Sequence, residues 1–302
     1  MIDLEASLAN DRGNAAKEAR SFEEAEAAYL HALELAPHFD APWFNLGVLY
    51  KWQARWDEAR RCIERSLELT PTNNSGAIWN LGIVATALGD WETARRAWRD
   101  YGIEVPLGDG PIEMQLGLTP IRMKVESSEV VWCDRIDPAR AFVRSIPVPA
   151  SGRRYGDLLL HDGAPAGSRL LAGREVSVFD ELTLLAPSEL STYVVQLSTP
   201  TASAMTELVG AFEKAPIPAE DWTESVRMTC AACSTGRPHA HGPERNEVEW
   251  RRDRELGFAA RTPAPALSIL QTWEKAAGFL ERFGGRRAFD APKCAVSGVA
   301  SS

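Results

Sequence analysis

The chain has 302 residues, enough for two domains of ordinary size, and its 45% hydrophobic and 25% charged content excludes a wholly disordered or collagen-like chain. A net charge of -9 repels phosphate, so nucleic acid and anionic membrane surfaces are poor partners. No apolar run approaches the ~20 residues of a membrane helix. The opening MIDLEASLAN lacks the basic and apolar regions of a secretory signal, and five cysteines, an odd number, are expected as reduced thiols in the cytoplasm.

Three segments of residues 6–102 share one pattern. Gly13, Ala25 and Tyr29 recur as Gly47, Ala59 and Ile63, and again as Gly82, Ala94 and Trp98. Gly13 to Gly47 and Ala25 to Ala59 are both 34 residues, while Gly47 to Gly82 and Ala59 to Ala94 are both 35. One residue is therefore inserted in the loop 70–75. A fixed period of this size marks a solenoid of helical hairpins. In the second segment Trp43, Leu46, Gly47 and Tyr50 follow i, i+3, i+4, i+7 spacing, which predicts a helix over 41–53 with one apolar face. A second helix is predicted over 56–69. The glycines are small where two helices of a hairpin approach closely, with Ala59 and Ala94 opposite them. Asp40 and Asp57 are the expected N-caps, and Pro37 and Pro71 close helices by removing a backbone donor.

The stretches PWFNLGVLY, WDEARRCIERSLELTP and IWNLGIVATALGDWETARRAW resemble the tetratricopeptide repeat family, over about a third of the chain. The resemblance implies an all-α superhelix of three repeats. It also implies a concave groove, lined by the first helix of each hairpin, that binds peptides. The positions carried over are Asn10, Asn14 and Lys17, then Phe44, Val48, Lys51 and Trp52, then Trp79, Ile83 and Thr86. Trp52, Trp79 and Phe44 would supply binding hot spots; the alternative is that the two tryptophans pack against the second domain. Members that hold chaperone tails use a carboxylate clamp. Asn14 and Asn45 match it, but Gly76 and Asn80 stand where its basic residues belong, so chaperone-tail binding is not expected.

Such arrays usually end in an extra helix. Here Pro106, Gly108, Gly110 and Pro111 break helix directly after the third repeat. The face around Trp98 and Tyr101 is therefore expected to be covered by a second domain docked rigidly on the array. The domains read as 1–105 and 112–285, with a disordered tail over 286–302.

Residues 112–285 are expected to form an α+β domain with an antiparallel sheet or small barrel. Strands are predicted at Glu129–Cys133, Ala141–Val148, Asp157–His161, Arg169–Leu171, Glu175–Leu185, Thr192–Ser198 and Val226–Thr229. Helices are predicted at Ser203–Lys214 and Ala266–Phe283. The stretch EVVWCDRIDPARAFVRSIPVPASGRRYGDLLLHD faintly resembles an uncharacterised bacterial β-domain, which implies a small barrel. The strand and helix at 192–214 suggest a ferredoxin-like or swapped-hairpin unit behind it.

Cys230, Cys233, His239 and His241 lie within twelve residues. The C-x2-C spacing puts two thiolates on one turn, which suits a tetrahedral, structural zinc ion. The same text also reads as a loop of reduced cysteines and solvated histidines, or as a redox pair, although Gly236 and Pro238 spoil the helix a redox pair would want. His161-Asp162 could begin a phosphohydrolase pair; more commonly His-Asp-Gly ends a strand in a turn. No catalytic residues are assigned. The favoured function is a cytoplasmic adaptor or scaffold that binds a protein or peptide. This reading takes in a bacterial-type scaffold or the neutralising partner of a toxin or secreted effector. The alternative is a zinc-dependent hydrolase in which three cluster residues ligate and Glu224 or Glu244 is the base.

Overall fold

Six helices follow one another from Leu4 to Tyr101: α1 (Leu4–Glu18), α2 (Phe22–Leu35), α3 (Asp40–Trp52), α4 (Trp56–Leu69), α5 (Ser75–Leu88) and α6 (Trp91–Tyr101). The computed structural model describes residues 4–72, 74–123, 129–171, 174–223, 250–277 and 284–288. The chain divides into two compact units. The first comprises 1–117, 135–141 and 160–164, and the second comprises the rest.

In the first unit the repeat period is written into the packing. Each first helix of a hairpin carries a glycine, and the residue 16 positions later lies over it. A Cβ on Gly13 would meet the Tyr29 ring at 2.5 Å, one on Gly47 would meet Ile63 at 2.5 Å, and one on Gly82 would meet the Trp98 ring at 2.7 Å. Tyr29, Ile63 and Trp98 are fully buried as a result. Gly82 and Trp98 thus close the α5–α6 hairpin from within. The helix caps also differ from those expected. Asn74 and Asp90 cap α5 and α6 by accepting from the amides of Ala77 and Thr93. Asp40 instead accepts a 2.8 Å bond from the Thr70 hydroxyl, and Asp57 lies in the first turn of α4.

The third hairpin is followed by extended chain in place of a helix. The Arg95 guanidinium on α6 donates to the carbonyls of Pro106 and Pro111, at 2.9 and 3.4 Å. Met114 and Leu116 donate to the carbonyls of Ile136 and Arg135. Arg140 sits 4.6 Å over the Trp91 ring, donates to the Ile112 carbonyl at 2.6 Å and pairs with Asp137. Ile112 is fully buried there.

The strand-rich part begins with β1 (Gly117–Arg122), β2 (Val130–Arg135), β3 (Arg140–Val143), β4 (Leu158–His161), β5 (Gly167–Leu171) and β6 (Arg174–Ala186). Their order is β1-β2-β3-β4-β6-β5, and β1 also pairs with β6, so five strands close into a barrel, with β5 paired to residues 174–178 of β6. The closing pair is parallel and sets Ile121 against Phe179 and Arg122 against Asp180. The Arg122 guanidinium grips the Asp180 carboxylate with two bonds of 2.5 and 2.6 Å at that seam. The strand expected over 141–148 stops at Val143, and β1 was not expected.

A second sheet holds β7 (Ser191–Ser198), β8 (Ala219–Asp221), β9 (Asp253–Ala260) and β10 (Gly284–Ala288), in the order β10-β7-β9-β8 with antiparallel pairs throughout. Among the described residues, helices α7 (Ala202–Lys214) and α8 (Ala264–Ala277) fall between these strands in the βαββαβ order of a ferredoxin-like unit. Its core joins Met205, Leu208 and Phe212 of α7 to Leu256 and Phe258 of β9 and to Leu270 and Trp273 of α8. Tyr193 stacks on its cross-strand partner Phe258 at 5.1 Å. Strand β10 takes in residues 286–288, which were assigned to the tail, because its ladder with β7 needs no apolar side chain to form. The strand expected at Val226–Thr229 lies outside the described residues.

Candidate partner-binding groove

Repeat geometry places the groove candidates on one face of α1, α3 and α5, and the structure sorts them by accessibility. Asn14, Lys17, Phe44, Val48 and Trp52 are half-buried. Asn10, Lys51, Ile83 and Thr86 are buried, so they are not open groove positions.

Hydrogen bonds explain part of this division. The Asn10 side-chain oxygen accepts from the Asn45 amide at 2.9 Å, which ties α1 to α3. Asn14 accepts from the Tyr29 hydroxyl at 2.9 Å, which ties α1 to α2. Burial, with the nearby Glu18 charge, pushes the Tyr29 phenol up to about 12, so it stays a neutral donor. Phe44 reaches towards the start of α5, and a Cβ on Gly76 would lie 3.4 Å from its ring. The Thr86 hydroxyl is spent on the Gly82 carbonyl at 2.7 Å.

Lys51 is only 2% exposed. Its ammonium donates to the Asn80 carbonyl oxygen at 2.7 Å and to the Asp162 carboxylate at 2.8 Å. Burial pulls the lysine down from its ordinary value, while Asp162 favours its charged form. Trp79 meets Trp98 and Tyr101 edge-on, with centroids 5.0 and 4.6 Å away. Its ring also lies against Gly163, where an added Cβ would come within 1.9 Å of it. The Asp162-Gly163 turn thus fills the site between α3 and α5. His161 ends β4 and accommodates the turn, its Nδ1 lying 2.9 Å from the Asp162 carbonyl. Burial, then the Arg135 charge, lowers its pKa to about 4. The strand-end reading of His-Asp-Gly is the one this geometry matches. Nothing in the sequence of α3 and α5 signalled the buried pair, because Asp162 lies 111 residues from Lys51.

Residues 6–39 and 41–73 match models of the tetratricopeptide repeat. Helices α1–α6 form tetratricopeptide-like repeats. Among solved structures, the array is similar to the Arabidopsis OM64 TPR domain, at 16% identity and TM-score 0.31, covering 32% of this chain and 79% of that one. It is also similar to the N-terminal domain of stress-induced protein-1 from C. elegans, at 22% identity and TM-score 0.30, covering 32% and 80%. A third is the second TPR of Spaghetti (RPAP3) bound to the HSP90 peptide SRMEEVD, at 20% identity and TM-score 0.32, covering 32% and 90%. No curated protein matches the chain.

Cys230, Cys233, His239, His241, Glu224 and Glu244 lie outside the described residues. Among the described residues no group of three or more His, Cys, Asp or Glu could hold a metal ion. Cys62 and Cys133 are buried free thiols, and burial raises Cys62 to about 11, which leaves it protonated and unreactive. No described helix is long and apolar enough to cross a membrane.

Proposed function

We propose that the tetratricopeptide array is the binding half of a protein adaptor and that it holds a short partner segment across its first two repeats. The observation that carries this is the accessible set Asn14, Lys17, Phe44, Val48 and Trp52 on consecutive first helices. Phe44 and Trp52 offer aromatic area at low entropy cost, and Lys17 offers a charge to a carboxylate or acidic side chain. The Asn14 amide nitrogen remains for a backbone carbonyl, since its oxygen serves Tyr29. Cys230, Cys233, His239 and His241 are proposed as a structural zinc set on their spacing in the sequence.

The test is affinity enrichment from the native cytoplasm with three full-length proteins: wild type, Phe44→Ala with Trp52→Ala, and Arg65→Ala as a control away from this face. A partner lost only by the double variant, with its melting curve unchanged, supports the reading. Equal enrichment by all three overturns it.

A further inference from the structure

The array contains a built receptor for an aspartate-led turn, and the chain occupies it with its own residues. We propose that the Asp162-Gly163 turn is a resident ligand of repeats two and three, and that this site accepts an Asp-Gly segment from another chain when the resident turn is displaced.

Four observations carry this, and all fall within the first compact unit. The acceptor side is preset: the Asn80 amide nitrogen donates to the Gly76 carbonyl at 2.8 Å, which aims its oxygen at Lys51. The ammonium so placed is buried, and it needs a second, charged acceptor. Asp162 meets that need with one carboxylate oxygen, while the other accepts the amides of Gly163 and Ala164 at 2.7 and 3.4 Å and holds the turn shut. Next to it, the Trp79 face admits glycine and excludes any larger residue at 163. The indole N–H of Trp79 is buried without an acceptor among the described residues, so the cradle still holds a donor for a backbone carbonyl.

These features recognise a carboxylate followed by glycine. With the resident turn displaced, the ammonium of Lys51 and the glycine-sized face of Trp79 are left for a second Asp-Gly segment to fill. The surface differs from the half-open groove of repeats one and two, so the two readings stand or fall separately.

The test uses the full chain and a synthetic peptide of residues 161–168, His-Asp-Gly-Ala-Pro-Ala-Gly-Ser. Gly163→Leu should evict the resident turn by collision with Trp79. The peptide should then bind this variant saturably, leave the wild type unbound, and lose about tenfold or more in affinity when its aspartate is replaced by asparagine. Peptide binding should persist when Phe44 and Trp52 are also changed to alanine. No binding by Gly163→Leu with a wild-type helical signal overturns the proposal, as does equal binding of the Asp and Asn peptides. Where Gly163→Leu loses its helical signal, Gly163→Ala replaces it, since its Cβ alone meets the Trp79 ring, and failure of the peptide to bind that variant is equally decisive against the proposal.

Discussion

Gly82 lies directly beneath the Trp98 indole, with no room for a single added carbon. Replacing it by alanine forces the ring or the helix to move. Overpacking of this kind costs about 1–3 kcal/mol. Gly82→Ala should lower the urea midpoint accordingly, and a control alanine at the exposed Gly76 should not. Gly13→Ala and Gly47→Ala should behave like Gly82→Ala, since each faces a large buried residue in the same way.

The Lys51–Asp162 pair gives a second expectation. Lys51→Met removes one charge and leaves the other buried. Losses on breaking such pairs run to about 3–5 kcal/mol. The double variant Lys51→Met with Asp162→Leu removes both charges and should recover most of that loss. A urea-denaturation cycle over the four proteins reads the coupling; a double variant as unstable as the sum of the singles would contradict it.

His161 sets a pH dependence. Its folded pKa is lowered to about 4, against an ordinary 6.5. The unfolded chain therefore binds the proton first as pH falls, and stability should drop through the window from about 6.5 to about 4. At about 1.4 kcal/mol per unit, the loss between pH 7 and pH 5 is about 2 kcal/mol. Above pH 7 the contribution is complete. His161→Gln should flatten this part of the stability profile, whatever its effect at pH 7.

The zinc proposal is read by metal content. Protein purified without chelator should carry about one zinc per chain, and replacing Cys230 and Cys233 by serine should remove it and lower the melting temperature. Wild-type protein free of zinc ends the proposal.

The repeats were legible in the sequence because their contacts are local and periodic. Each glycine and the large residue over it fall 16 positions apart within one hairpin, and neighbouring hairpins stack at a fixed period, so Gly47 and Ala59 announce their roles by spacing alone. The helix α7 and most strands of the barrel were legible from their apolar patterning for the same reason. Strand β9 was not. It opens with Asp253, Arg254 and Glu255 and carries Gly257 at its centre, and nothing in that text looks like a strand. Its place comes from the partners it finds: Arg254 pairs with Asp221 on β8, Gly257 leaves room for the Trp222 ring, and Phe258 stacks on Tyr193. The groove shows the same division. Sequence alone placed Lys51 and Trp79 on the expected binding face of the array. Whether these two are open was decided by Asp162 and Gly163, more than a hundred residues from Lys51 along the chain. A buried ammonium takes the carboxylate that the fold brings to it, and only the tertiary structure fixes which one that is.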